Sequence, residues 1–325
     1  FYAEIILAEG EMHRLPGYTE KYFGENSRNI VLIIVLIASY GGLLAYIILS
    51  GIFTHSLLEP IFGGSPFIYS SVLFLLGALI VFFGLKLIAG VELYLSIIMV
   101  LAIALLSWRS FNYMDLSNFS LIDWRYALLP YGPIFFSVGG DAAIPEVCRL
   151  LGNDKKKIKS VIKWGTCIPV AVTFLFVVAA LGVTGANTTS DTLVGLRAFF
   201  SPVLISIALV LGLLAVFTSF LTLAQATKEI FIWDFKIKRN VAWPLALVPP
   251  YLLYLIGLKN LTSVVSFTGS VMGGVLGVIL IWLFFKVKNG SRQGNLMETK
   301  LSKPMAFVLS LLFVIGFIYS LFEIF

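Results

Sequence analysis

Charge is what this sequence is shortest of. Asp, Glu, Lys and Arg make up 12% of its 325 residues, about half of the roughly 25% found in globular domains. So few charges cannot cover a water-facing surface, which argues against a soluble enzyme, a nucleic-acid-binding protein or a disordered chain. Cysteine is nearly absent too. Cys148 and Cys167 are the two present, too few for a disulfide scaffold or a four-cysteine metal site. The two histidines, His13 and His55, are expected at opposite membrane faces and so share no metal. No HExxH, GxSxG or P-loop pattern occurs, so no catalytic set is visible.

What is present is apolar. Hydrophobic residues reach 59%, and Phe alone occurs 28 times. Charged residues are missing altogether from 29–58, 60–85, 164–190, 198–227, 240–258, 260–285 and 304–322. Each run approaches or exceeds the roughly 20 apolar residues that cross a hydrocarbon core as a helix. Two further spans carry acids: 87–108 with Glu92, and 126–148 with Asp141 and Glu146. The pattern predicts an all-α polytopic membrane protein with one transmembrane domain over 1–325. Nine complete spans are expected, at 30–55, 67–85, 87–108, 126–148, 160–183, 200–232, 241–258, 262–286 and 304–324. Residues 1–7 read as the end of a further helix whose start precedes the chain. Residues 8–29 read as a loop.

The basic residues sort by side. Counting loops alternately from 8–29, one side holds 19 of the 23 Lys and Arg, and the other holds Arg109, Arg125, Arg197 and Lys259. The positive-inside rule places the first side in the cytoplasm and the C-terminus outside, in the cell membrane. The net charge of +6 is therefore a topology signal, with no nucleic-acid partner implied. The run 155–163 (KKKIKSVIK) is either part of that signal or a contact for anionic lipid headgroups.

One span is unlike the others. Residues 129–146, LPYGPIFFSVGGDAAIPE, contain Pro130, Pro133, Pro145, Gly132, Gly139 and Gly140. Proline removes a backbone donor, and paired glycines let the chain leave helical angles. Freed backbone groups at membrane depth need protein, ligand or a water-filled cavity to satisfy them. Ser137, Val138, Gly139, Gly140 and Asp141 sit at the middle of this break. Its carbonyls and amides suit the amine and carboxylate of a zwitterion. The competing reading is a kinked helix packed on a neighbour. Asp141 reads as a protonatable coupling group, a partner for a substrate amine, or a cap on the second half-helix. Glu146 reads as half of a helix-end ion pair with Arg149. Glu92 reads as a bundle-facing hydrogen-bonding group or a proton relay.

A second cluster is AVFTSFLT at 215–222. Ala215, Thr218, Ser219 and Thr222 lie at offsets of zero, three, four and seven, on one helix face. Such a face either coordinates a small hard cation such as Na+ or packs against another helix. Ser39-Tyr40-Gly41-Gly42 permits close helix approach or a substrate-facing Tyr40. Gly269, Gly273 and Gly277 repeat every four residues, a packing signal.

Taken together, these motifs resemble the amino acid/polyamine/organocation transporter superfamily, in its amino acid permease branches, including the amino acid/auxin and the hydroxy and aromatic amino acid permeases. The carriers are AEIILAEGEMHRLPGYTEKYFG at 3–24, FFSVGGDAAIPE at 135–146, KIKSVIKWGTCIPV at 157–170, LGVTG at 181–185 and FTSFLTLA at 217–224. The resemblance implies a five-plus-five inverted-repeat transporter fold followed by an eleventh helix. Here helix 1 and most of helix 2 are missing, the broken span is helix 6, and 217–224 lies in helix 8. By resemblance, Ser137–Asp141 contact substrate, and Ala215, Thr218 and Ser219 match a sodium site. Ser39 and Tyr40 of helix 3 are expected on the facing wall. The family usually has an aromatic, histidine or small residue where Asp141 stands.

The resulting expectation is a secondary active transporter of amino acids, coupled to Na+ or H+, needing no cofactor and partnered by its substrate and the bilayer. The alternatives are an amino acid-sensing membrane protein and a proton-coupled carrier of another small solute. An ion channel is disfavoured by the lack of a repeated filter sequence.

Overall fold

In the computed structural model, described residues are 1–10, 12–84, 89–120, 123–152, 154–189, 191–193, 195–290 and 301–324. They form thirteen α-helices and no strand. In chain order these are α1 (Tyr2–Glu9), α2 (Leu15–Phe23), α3 (Glu25–Phe62), α4 (Pro66–Phe83), α5 (Ala89–Ser110), α6 (Tyr131–Val138), α7 (Ile144–Leu151), α8 (Lys155–Thr184), α9 (Pro202–Trp233), α10 (Arg239–Leu255), α11 (Leu261–Ser270), α12 (Gly277–Gly290) and α13 (Lys303–Ile324).

The helices start where the sequence supplies a cap. The side chains of Asp154, Ser201 and Asn260 accept from backbone N–H groups in the first turns of α8, α9 and α11, satisfying donors that hydrocarbon would leave unpaired. Pro66 and Pro202 open α4 and α9, where the missing N–H is not needed. Large apolar side chains point outward from α4, α5, α8 and α13, among them Phe83 at 79% and Phe174 at 68% exposure. A surface of that kind suits lipid, not water.

Seven helical segments among the described residues are long and apolar enough to cross a membrane, against the nine spans expected. Both shortfalls have a local cause. Helix α10 is 17 residues long and contains Pro244, Pro249 and Pro250. The 126–148 span divides into α6 and α7, eight residues each. The expected loop at 8–29 contains α2. Its five N-terminal residues are buried, and its Glu20 and Lys21 keep it out of any charge-free run. The side chain of Glu92 lies outside the described residues, so its expected hydrogen bond does too.

Helix α3 runs through the centre, packing on α2, α4, α9, α10 and α11. Its apolar residues feed two of the buried clusters that surround the cavity: Val31 and Ala38 pack with α1, α7 and α12, and Leu43, Leu44 and Ile47 with α4 and α9. The tightest crossing joins α6 to α11. A Cβ on Gly269 would sit 1.8 Å from the Gly132 carbonyl oxygen, and one on Gly132 would sit 2.1 Å from that of Ser266. Only glycine permits this approach. Directly after it, the chain takes a π turn over Val271–Leu276. A Cβ on Gly273 or Gly277 would strike Phe135 or Phe313. The glycine repeat is thus a packing stripe, as its spacing suggested.

Candidate functional site

The break predicted at the glycine pair is real. Helix α6 ends at Val138, a single 3-10 turn covers Asp141–Ala143, and α7 begins at Ile144. The backbone angles correct the reason for it. Gly139 has φ −63° and ψ 106°, and Gly140 has φ −129° and ψ 12°, values open to other residues. What glycine supplies is the missing side chain. A Cβ on Gly139 would lie 2.6 Å from Met272 Cε, whereas one on Gly140 would meet nothing.

A cavity of about 220 Å³ lies against this break. Gly139, Gly140 and Asp141 line it from one side. Ser137 and Val138 do not: Ser137 Oγ turns back to donate to the Ile134 carbonyl at 2.9 Å. The opposite wall is the α3 stripe Val35, Ala38, Ser39, Gly42 and Tyr46, at offsets of zero, three, four, seven and eleven. Tyr40 is off that stripe by one residue. Its hydroxyl donates to the Leu245 carbonyl of α10 at 2.6 Å, and it takes no part in the cavity lining. The cavity-facing tyrosine of α3 is Tyr46, which periodicity from Ser39 identifies, and not Tyr40. Beside it Gly41 serves close approach, with Thr268 Oγ1 2.1 Å from a hypothetical Cβ.

Helix α9 closes a third side with Ser219, Thr222, Leu223 and Ala226. Of the four residues with ion-site spacing, Ser219 and Thr222 reach the cavity; Ala215 and Thr218 sit outside its lining. Thr218 Oγ1 donates to the Ala215 carbonyl at 3.1 Å, and Thr222 Oγ1 to that of Thr218 at 3.0 Å. The Tyr46 hydroxyl faces the Ser219 side chain. Its ring lies 6.0 Å from that of Phe136, and with Tyr2 these rings give the cavity aromatic walls.

Asp141 hydrogen-bonds to the backbone at its own position and at Ala142, and Arg14 acts on it as the nearby opposite charge. It makes no cap on α7, whose first turn has none from a side chain. Nothing in the sequence pattern singles out Arg14. It is 5% exposed and lines the cavity. Nη1 donates to the Ala142 carbonyl at 2.7 Å, and Nη2 to Glu229 Oε2 on α9 at 2.5 Å. Glu146 Oε1 stands 3.7 Å away, itself paired to Arg149 as expected.

Such a site offers broken backbone, a carboxylate, hydroxyls and aromatic faces around a half-open cavity. It contains no nucleophile–base pair, and it is suited to holding a small polar–apolar solute. No curated protein is similar enough to match the chain. Residues 1–323 match the profile of the tryptophan/tyrosine permease family. A match of that length, on an all-helical chain with seven membrane-length helical segments, means that this multi-pass membrane protein belongs to the tryptophan/tyrosine permease family.

Proposed function

We propose that the chain is a secondary transporter that moves aromatic amino acids across the cytoplasmic membrane by alternating access, coupled to Na+ or H+. The observation that carries this reading is the cavity at the 139–143 break. Its volume of about 220 Å³ is below the roughly 300–1,000 Å³ of pockets for drug-sized ligands, a size for a single amino acid. Unwound backbone at Gly139 and Gly140 offers carbonyls to an amine and amides to a carboxylate. Tyr2, Tyr46 and Phe136 offer faces on which an aromatic side chain stacks. The family's name points to the same substrate class.

In this reading Gly139, Gly140, Asp141, Ser39 and Tyr46 contact substrate, while Ser137 and Val138 set the end of α6. Ser219, with Ala215 and Thr218, is the sodium ligand set; Asp141 is the proton carrier if the coupling ion is H+. The fold is the five-plus-five inverted repeat with an eleventh helix, in one domain over 1–325. The basic loops face the cytoplasm and the end of α13 faces out.

Uptake of radiolabelled tryptophan by proteoliposomes tests the proposal, under a sodium gradient and separately under a proton gradient. Saturable uptake driven by one of them is expected. With sodium, Thr218→Ala combined with Ser219→Ala removes the sodium dependence. With protons, Asp141→Asn flattens the pH dependence. Lack of saturable uptake under both gradients would reject the transport reading.

A further inference from the structure

Arg14 joins three segments that are far apart in sequence. It sits at the N-cap of α2, donates into the 141–143 turn through Ala142, and pairs with Glu229 of α9. Its face lies over Trp233, with Cζ 5.0 Å from the ring. Glu229 is held in place from its own helix by Gln225 Nε2 at 2.7 Å. The backbone on either side of Arg14 is fastened to the end of α9 as well. Asp234 Oδ1 accepts from Arg14 N at 3.0 Å, and Oδ2 from Gly17 N at 3.1 Å. His13 Nδ1 lies 3.3 Å from the same carboxylate.

We propose that Arg14 is a positioning residue that clamps the end of the cavity nearest the basic loops, holding α7 and α9 together so that substrate leaves on that side only after its bonds break. The proposal rests on the transport reading. It follows from three features. Arg14 and Leu15 line the cavity, whereas the Arg14 partners Glu146 and Glu229 lie outside its lining. The guanidinium fork satisfies a carbonyl of the break and a carboxylate of α9 at once, which a single-partner cap does not require. A buried ion pair of this kind adds little net stability, because desolvation offsets its attraction; what it specifies is one arrangement of the segments it joins. A contact that is costly to half-break yet nearly neutral overall is suited to a two-state closure.

Cys148 supplies a readout that does not depend on transport. It is buried at 4% on α7, two residues from Glu146, in an apolar cluster with Tyr2, Ile5 and Tyr18. Cys167, which is exposed, is removed as Cys167→Ala. The rate of Cys148 alkylation by N-ethylmaleimide is then measured in proteoliposomes by intact mass. Arg14→Gln and Glu229→Gln are each expected to raise that rate about tenfold or more, as expected when a charge-assisted bond that opposes local opening is lost. Arg14→Lys, with charge but no fork, falls between. In uptake, Arg14→Gln lowers the maximal rate of tryptophan transport more than it raises KM. Cys148 rates unchanged in both Arg14→Gln and Glu229→Gln would overturn the clamp, and Glu229→Gln alone decides if Arg14→Gln does not fold. A raised KM with unchanged labelling would also overturn it, making Arg14 an ordinary substrate contact. If the unmutated protein takes up no tryptophan, the transport reading fails, whereas the labelling rates still decide whether Arg14 holds α7 closed.

Discussion

Tyr46 and Tyr40 are six residues apart on α3, and the pitch of an α-helix sends them to different neighbours. Tyr46 faces the cavity with Ser39 and Gly42, and Tyr40 reaches the α10 backbone. Their substitutions should separate accordingly. Tyr46→Ala removes an aromatic wall and is expected to raise KM for tryptophan uptake about tenfold, the effect of losing a ring contact of about 0.5–1.5 kcal/mol together with its buried area. Tyr40→Phe deletes one hydrogen bond, costs about 1 kcal/mol of stability, and leaves KM unchanged. Uptake kinetics and thermal unfolding in detergent check the pair; equal KM effects would put both tyrosines at the substrate. The sequence alone pointed to Tyr40 because it adjoins Ser39 and a glycine pair. Extending the Ser39 stripe by seven positions would have found Tyr46. Arg14 had no such signal, because its partners Ala142 and Glu229 are separated from it by 128 and 215 residues.

Elements were more legible than side chains, since membrane length and lack of charge constrain whole segments. The charge-free runs anticipate α3, α4, α8, α9 and α13, and the proline–glycine pattern anticipates the division between α6 and α7. The π turn over Val271–Leu276 was not readable, because no residue pattern in the sequence marks it. The end of α4 was equally hidden. Lys228 counts in the sequence as one of the basic-side residues, yet it is 2% exposed and Nζ donates to the Val81 carbonyl at 2.8 Å. Arg239 Nη2 donates to the next carbonyl, Phe82, at 2.7 Å. The last turn of a helix leaves such carbonyls without intrahelical partners, so α9 and α10 together cap α4. Lys228→Met should leave a buried carbonyl unsatisfied at a cost of about 1–3 kcal/mol. Arg239→Gln should cost less, because water reaches its exposed end. Thermal midpoints of the two purified variants give the order, and an equal or reversed order would mean that Lys228 does not cap α4.

The orientation of the whole molecule in the membrane can be tested on α8. This helix runs 30 residues from Lys155 to Thr184. At about 1.5 Å per residue that length exceeds the roughly 30 Å hydrocarbon core. Its two ends must therefore emerge on opposite sides if α8 crosses the membrane. Lys156 lies in its first turn and Asn187 just past its end, and both are exposed. The separation of 19 basic residues from four predicts Lys156 in the cytoplasm and Asn187 outside. Single cysteines at these positions, in a background without Cys148 and Cys167, should react selectively. In intact cells a membrane-impermeant maleimide labels the Asn187→Cys protein and spares Lys156→Cys, and inside-out vesicles give the reverse. Reversal of both patterns would invert the molecule and put the Arg14 end of the cavity outside, making the proposed clamp an external one. Labelling of both from one side would mean that α8 does not cross, and would remove the basis for numbering the helices as a five-plus-five repeat.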